Sequence, residues 1–114
     1  MKESFLPDIG DILWMSLSPT SGHEQSGHRP VLTLTPAAYN AKRGLLICCP
    51  ITSRVGGYPF EVAIATDGIS GVVIADQVKS VDWRARGARL AGRADVDVTL
   101  EVRAKLGALL LANT

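Results

Sequence analysis

The sequence predicts a mainly β fold with appended α, in the form of a curled antiparallel sheet followed by a C-terminal amphipathic helix. Three observations predict it. Runs of strand length, apolar throughout or alternating, recur between Gly10 and Trp83. Turn-forming clusters separate them, at Ser18-Pro19-Thr20-Ser21-Gly22, Gly56-Gly57, Asp67-Gly68 and Arg86-Gly87. From Val98 onward the apolar period changes to that of a helix.

The first strand is read at Gly10–Leu17 (GDILWMSL), with Trp14 assigned to the core. Pro30–Thr35 alternates apolar and polar in the manner of a half-buried strand. Pro36–Arg43 can hold one short helix, with Thr35 as its cap. Gly44–Ile51 (GLLICCPI) is almost wholly apolar, as expected of a central strand covered on both faces. Tyr58–Ala65, Gly71–Ala75 and Gln77–Trp83 complete the strands. In the tail, Val98, Val102, Leu106, Leu109 and Leu110 share one helical face, with Asp95 or Asp97 to cap the helix at its positive end. Gly107 inside that helix suggests close packing there.

A chain of 114 residues has the size of one domain, and 1–114 is read as a single unit. With 46% hydrophobic and 20% charged residues it has ordinary globular composition, which argues against disorder and against a disulfide scaffold. The N-terminal MKESFLPDIG lacks an apolar stretch of signal-peptide length, and no apolar run approaches a membrane span. Cys48 and Cys49 are adjacent in a strand and so point to opposite faces; they read as buried, unpaired thiols. A cytoplasmic address is the expectation. The net charge of +1 hides an uneven distribution. No acid lies between Glu24 and Glu61, a window holding Arg29, Lys42, Arg43 and Arg54. From Lys79 to Arg93 five basic residues face the single acid Asp82. Brought together, these stretches form a positive surface for a polyanion; kept apart, they are ordinary solvated surface.

Between Leu17 and Pro30 runs a connection of about a dozen residues, SPTSGHEQSGHR, which holds both histidines together with Glu24 and Arg29. Its histidines are five apart in a Gly-containing loop, which does not satisfy the HExxH spacing on a helix. There is no Cys-x-x-Cys, carboxylate cluster, P-loop, GxGxxG or GxSxG, so the sequence suggests neither a metal nor a nucleotide cofactor nor a serine nucleophile. What remains is Glu24, His28 and Arg29 on the loop, with Thr52 and Ser53 at the end of the central strand. Arg29 precedes Pro30, which favours an extended backbone, and a guanidinium fork matches phosphate oxygens. On its own, Thr52 reads as any strand-end hydroxyl.

The stretch GDILWMSLSPTSGHEQSGHRPVLTLTP resembles the N-terminal signature of the MazF/PemK toxins. Further similarities follow in order: Tyr39-Asn40, Pro50-Ile51-Thr52, Gly57-Tyr58-Pro59-Phe60-Glu61-Val62, and Ala75-Asp76-Gln77-Val78-Lys79-Ser80 leading to Trp83-Arg84-Ala85-Arg86. The resemblance extends from about Asp8 into the C-terminal helix and is closest to the MazF branch.

The resemblance implies a small, SH3-like, strongly curved β-barrel with helices attached. It also implies a homodimeric toxin that cuts single-stranded messenger RNA without a ribosome and without a metal, at ACA-like sites in the default case. The family's essential arginine falls on Arg29 and its essential threonine on Thr52. Family members use the ribose 2′-hydroxyl as nucleophile, leaving a 2′,3′-cyclic phosphate and a 5′-hydroxyl. Arg29 then suits charge stabilisation at the phosphate, with Thr52 hydrogen-bonding an oxygen and Glu24 and His28 as candidate proton carriers. Ser53, Arg54, Lys79, Arg84 and Arg86 are expected to grip the substrate, Tyr58, Phe60 or Trp83 to stack on bases, with burial in the core the alternative for each ring, and Asp76 and Gln77 to read base edges. The implied partner is a MazE-like antitoxin whose acidic, flexible C-terminal segment wraps the toxin. Two alternatives stand beside this reading. CcdB-type toxins share the fold and bind DNA gyrase without catalysis, but lack the Gly-His-Arg-Pro and strand-end Thr pairing; an SH3-like module would bind and not cut.

Overall fold

A computed structural model describes residues 5–113. Seven strands and two helices follow in the order β1 (Asp11–Ser16), β2 (His28–Thr33), α1 (Ala37–Arg43), β3 (Leu46–Thr52), β4 (Glu61–Thr66), β5 (Ile69–Ile74), β6 (Lys79–Val81), β7 (Arg89–Arg93) and α2 (Val96–Leu110). The strands form one antiparallel sheet ordered β4-β5-β3-β2-β1-β7, with β6 added to β3. β3 is its hub. Its first half pairs β6, its middle pairs β2, and Ile51 and Thr52 pair Val73 and Val72 of β5.

The alternation of strand side chains gives the sheet two cores. Ile12, Leu32, Cys49, Ile51, Val62 and Val73 pack on one face, where Val102 of α2 covers them. Leu13, Met15, Val31, Leu46, Cys48 and Trp83 pack on the other. Adjacent residues such as Cys48 and Cys49 thus serve different cores, and both thiols are free and buried. The two sheet edges approach each other. Asp67, in the β4–β5 turn, accepts the Arg93 N–H of β7 at 3.1 Å, and the Thr66 hydroxyl donates to the Arg93 carbonyl at 3.4 Å. The result is a curled half-barrel. The Asp67-Gly68 pair makes the tight turn because both residues adopt positive φ, at 50° and 79°.

Several boundaries differ from those read in the sequence. β2 starts at His28, so Arg29 lies within a strand and not on the loop: pairing with β3 stops at Val31, but pairing with β1 continues past Pro30. Thr35 does not cap α1. Its hydroxyl donates to Asn40 Oδ1 at 2.7 Å and accepts the Ile47 N–H, while the Asp8 carboxylate takes the Ala37 N–H at 2.9 Å. Trp14 is half-buried and stacks on His28, with ring centroids 5.2 Å apart. β7 leaves no signal in the sequence, because RLAGR carries two arginines, a glycine and an exposed leucine, with no apolar alternation. α2 begins at Val96, and a side chain at Gly107 would meet nothing, so that glycine marks no close packing. Leu109 and Leu110 are exposed, so the apolar face of the helix is used only from Val98 to Leu106. No helix among the described residues is long and apolar enough to cross a membrane.

Candidate active site

The β2–β3 register positions the central pair. Val31 opposite Pro50 is the last pair of that ladder, and Arg29 and Thr52 lie two residues beyond it on their strands, both lining one recess. Residues two apart on a strand share a face, so Arg29 follows Val31 and Thr52 follows Pro50 to the same side of the sheet end. Arg29 is held from behind: its Nε–H donates to the Ser26 carbonyl at 2.8 Å, and Nη1 reaches the Ile51 carbonyl at 3.4 Å. Among the described residues Nη2 has no protein partner. Thr52 is 9% exposed, and its Oγ accepts the Arg54 N–H at 3.2 Å, which leaves the hydroxyl proton to donate.

Thr52 sits where two recesses join. One, of about 360 Å³, is lined by Gln25, Arg29, Thr52, Ser53 and Arg54. The other, of about 640 Å³, runs past Thr52 and Arg54 to Tyr58, Phe60, Asp76 and Gln77, with His23 and Gln25 on the near wall. Together they make one groove with a guanidinium and hydroxyl at one end and two aromatic rings at the other. Tyr58 is 72% exposed, whereas Phe60 is half-buried against the core. Glu61 braces the loop that leads into Tyr58, accepting the Gly56 and Gly57 N–H groups at 2.9 to 3.1 Å.

The remaining predicted residues are placed differently. The Glu24 carboxylate accepts the Ser21 N–H and pairs with Lys79 at 3.3 Å. The Ser21 N–H and then the Lys79 ammonium hold it below the usual carboxylate range. His28 stacks on Trp14, on the opposite face of β2 from Arg29, and does not line the groove. The structure therefore brings neither proposed proton carrier to the Arg29–Thr52 pair. Arg86 donates to the Ser16 and Ser18 carbonyls at 3.1 and 2.9 Å, and Arg84 lies over the Trp83 ring at 4.1 Å. Of the second basic stretch, Lys79 and Arg86 are thus engaged with the protein itself, and Arg93 pairs with Asp11 at 2.6 Å.

Two groove residues escaped the sequence reading. His23 and Gln25 belong to the same loop as Glu24 and His28, and spacing alone does not say which of them turns inward. Gly71 is another. Its φ is +151°, and a Cβ there would fall 2.1 Å from the Thr52 carbonyl oxygen, so only glycine lets β5 approach β3 beside the site. Among the described residues no three His, Cys, Asp or Glu side chains cluster as a metal site would require.

A hydroxyl and an anchored guanidinium line one recess, with aromatic rings further along the groove, and that set of groups has the chemistry to meet a phosphodiester carrying bases. Comparison with known proteins agrees with that class. Residues 8–110 match the PemK-like, MazF-like toxins of type II toxin–antitoxin systems, and the chain belongs to that family. It is 44% identical over 110 residues to the endoribonuclease toxin MazF of Escherichia coli strain K12, covering 96% of this chain and 99% of that one. It is 39% identical to the Escherichia coli endoribonuclease PemK over 110 residues, covering 89% of this chain and 80% of PemK. The crystal structure of MazF from Deinococcus radiodurans superposes with a TM-score of 0.90 at 53% identity, covering 94% of this chain and 98% of that one. A MazE–MazF complex from the same organism matches with a TM-score of 0.83 at 47% identity, covering 96% of this chain and all of that one.

Proposed function

We propose that this chain is a ribosome-independent endoribonuclease toxin that cuts single-stranded messenger RNA at short sequence motifs and so arrests translation and growth. The observation that carries this reading is that Arg29 and Thr52 line one recess of the groove. The ribose 2′-oxygen attacks the neighbouring phosphorus, the P–O5′ bond breaks, and a 2′,3′-cyclic phosphate and a 5′-hydroxyl result. One proton leaves the 2′-hydroxyl and one reaches the 5′-oxygen. Because the nucleophile is already part of the substrate, alignment supplies much of the rate, and the step requires no water-activating metal. Arg29, fixed through Nε, offers its free edge to the non-bridging oxygens as negative charge builds. Thr52 donates its hydroxyl proton to the same phosphate. A guanidinium gives up its proton reluctantly, so Arg29 is assigned charge stabilisation and not general-base work. Glu61 of the groove is engaged with the Gly56 and Gly57 N–H groups, which leaves His23 and Asp76 as the imidazole and carboxylate for proton exchange with a bound RNA.

Tyr58 and Phe60 suit base stacking, while Ser53, Arg54 and Asp76 meet the flanking phosphates and base edges. Dependence on the 2′-hydroxyl makes RNA, and not DNA, the substrate. The toxin is read as acting in the cytoplasm as a homodimer, and exposed Leu90, Val96 and Leu100 are apolar surface for a partner to cover. An acidic, flexible antitoxin segment suits the Arg29 and Arg54 end of the groove.

The test is incubation of the purified protein with a mixed-sequence RNA in EDTA, with mapping of the ends, repeated on an RNA carrying a 2′-deoxy substitution at the cut site. Cleavage in EDTA that stops at the deoxy position is expected. Cleavage of the deoxy substrate would exclude the internal nucleophile; an intact RNA together with gyrase inhibition would replace the whole reading with a CcdB-like one.

A further inference from the structure

The wall of the groove opposite β3 is the loop of residues 17–27, and few bonds of its own hold it. Its base is closed by the Leu17 N–H to the Gly27 carbonyl at 3.0 Å, and a turn at Ser21–Glu24 shapes its tip. The long-range side-chain bonds to this loop come from later in the chain. Gln77, just after β5, provides two of them. Its Oε1 accepts the Gln25 N–H at 2.8 Å, and its Nε2 donates to the His23 carbonyl at 3.3 Å. One side-chain amide therefore meets an N–H and a C=O two residues apart, as a neighbouring strand would. The residue between them, Glu24, is held by Lys79 at 3.3 Å. At the start of the loop Arg86 grips the Ser16 and Ser18 carbonyls. Gln77 is itself anchored, its N–H donating to the Ile74 carbonyl at 3.2 Å.

Gln77, Lys79 and Arg86 carry side chains suited to bases and phosphates, yet each bonds to this loop. We propose that Gln77 is a positioning residue that latches the loop, setting His23 and Gln25 as the fixed near wall of the groove, with Lys79 securing the residue between them. Its amide does not read a base. The consequence for catalysis rests on the groove being the RNA site; the latch itself does not. A preformed wall spares RNA the entropy of ordering the loop, so losing the latch weakens binding equally for every sequence and leaves the chemical step intact.

The experiment compares the wild type with Gln77→Leu and Gln77→Glu. Amide hydrogen exchange at Gln25, measured without RNA, reads the latch. Gln77→Leu removes both bonds and is expected to speed exchange at Gln25 roughly fivefold or more, while Gln77→Glu keeps the acceptor and so keeps Gln25 protected. Cleavage of two RNAs of different sequence reads the consequence: KM rises about fivefold for both with Gln77→Leu, kcat stays within twofold, and Gln77→Glu recovers part of the loss. Unchanged Gln25 exchange in Gln77→Leu overturns the latch. A loss confined to one RNA sequence, with Gln25 still protected, overturns it in favour of base reading. Should the wild type cleave no RNA at all, the ribonuclease reading falls while the exchange result still decides the latch.

Discussion

Cys48 and Cys49 lie at the centre of β3, and burial pushes both thiols up to about 12. A thiol reacts as its thiolate, so the folded protein is expected to resist iodoacetamide at pH 7.5, with both cysteines alkylated once it is denatured. Mass spectrometry distinguishes the two, and labelling of the native protein would contradict the packing described. Asp8 carries a different kind of effect. The Ala37 and Ile9 N–H groups hold its carboxyl below its ordinary 3.8. Because the folded value is depressed, the stabilisation is present above that ordinary value and disappears as pH falls through the lowered one. Asp8→Ala is expected to cost about 1 kcal/mol at pH 7 and progressively less below pH 4, read from urea midpoints at each pH. At this scale the sequence reveals chemistry better than direction. A guanidinium suits phosphate wherever it lies, so Arg29 could be singled out from its type and neighbours. Which of His23 and His28 faces the groove depends on the path of the loop and on the Trp14 ring that captures His28, and neither is visible in spacing.

The elements that read clearly are those whose burial is one-sided or complete. β3 is apolar because it is covered on both faces, and β1 and the first turns of α2 follow their periods for the same reason. β6 falls within the Gln77–Trp83 run read as a strand, whereas β7 is an edge strand defined by its pairing with β1 and not by hydrophobic pattern, and its sequence carries little signal. Gly71 joins element to site. Substituting alanine would force its Cβ into the Thr52 carbonyl, and β5 or β3 must shift. Gly71→Ala is expected to lower stability by about 2 kcal/mol or more and to displace Thr52. Thermal unfolding and RNA cleavage should therefore decline together; a variant as stable and active as the wild type would show that β5 and β3 can separate freely.

At the scale of the whole molecule, the curl of the sheet is what assembles the groove. It brings the ends of β2 and β3 beside the turn between β5 and β6, whose residues hold the loop that forms the opposite wall. The two basic stretches of the sequence consequently have separate fates. Arg29 and Arg54 line the groove, whereas Lys79 and Arg86 are engaged in building it. A charge count along the chain does not distinguish binding cations from structural ones, because both are close to the same surface. The central claim is that Arg29 and Thr52 act together on one phosphate. Single-turnover cleavage of one RNA by Arg29→Ala, Thr52→Val and the double variant, each confirmed as folded and saturated with substrate, tests it most directly. Each single substitution is predicted to slow cleavage about 100- to 1000-fold, and the double variant to be little slower than the worse single, as expected of groups serving one transition state. Cleavage by either single variant within threefold of the wild-type rate would contradict the account.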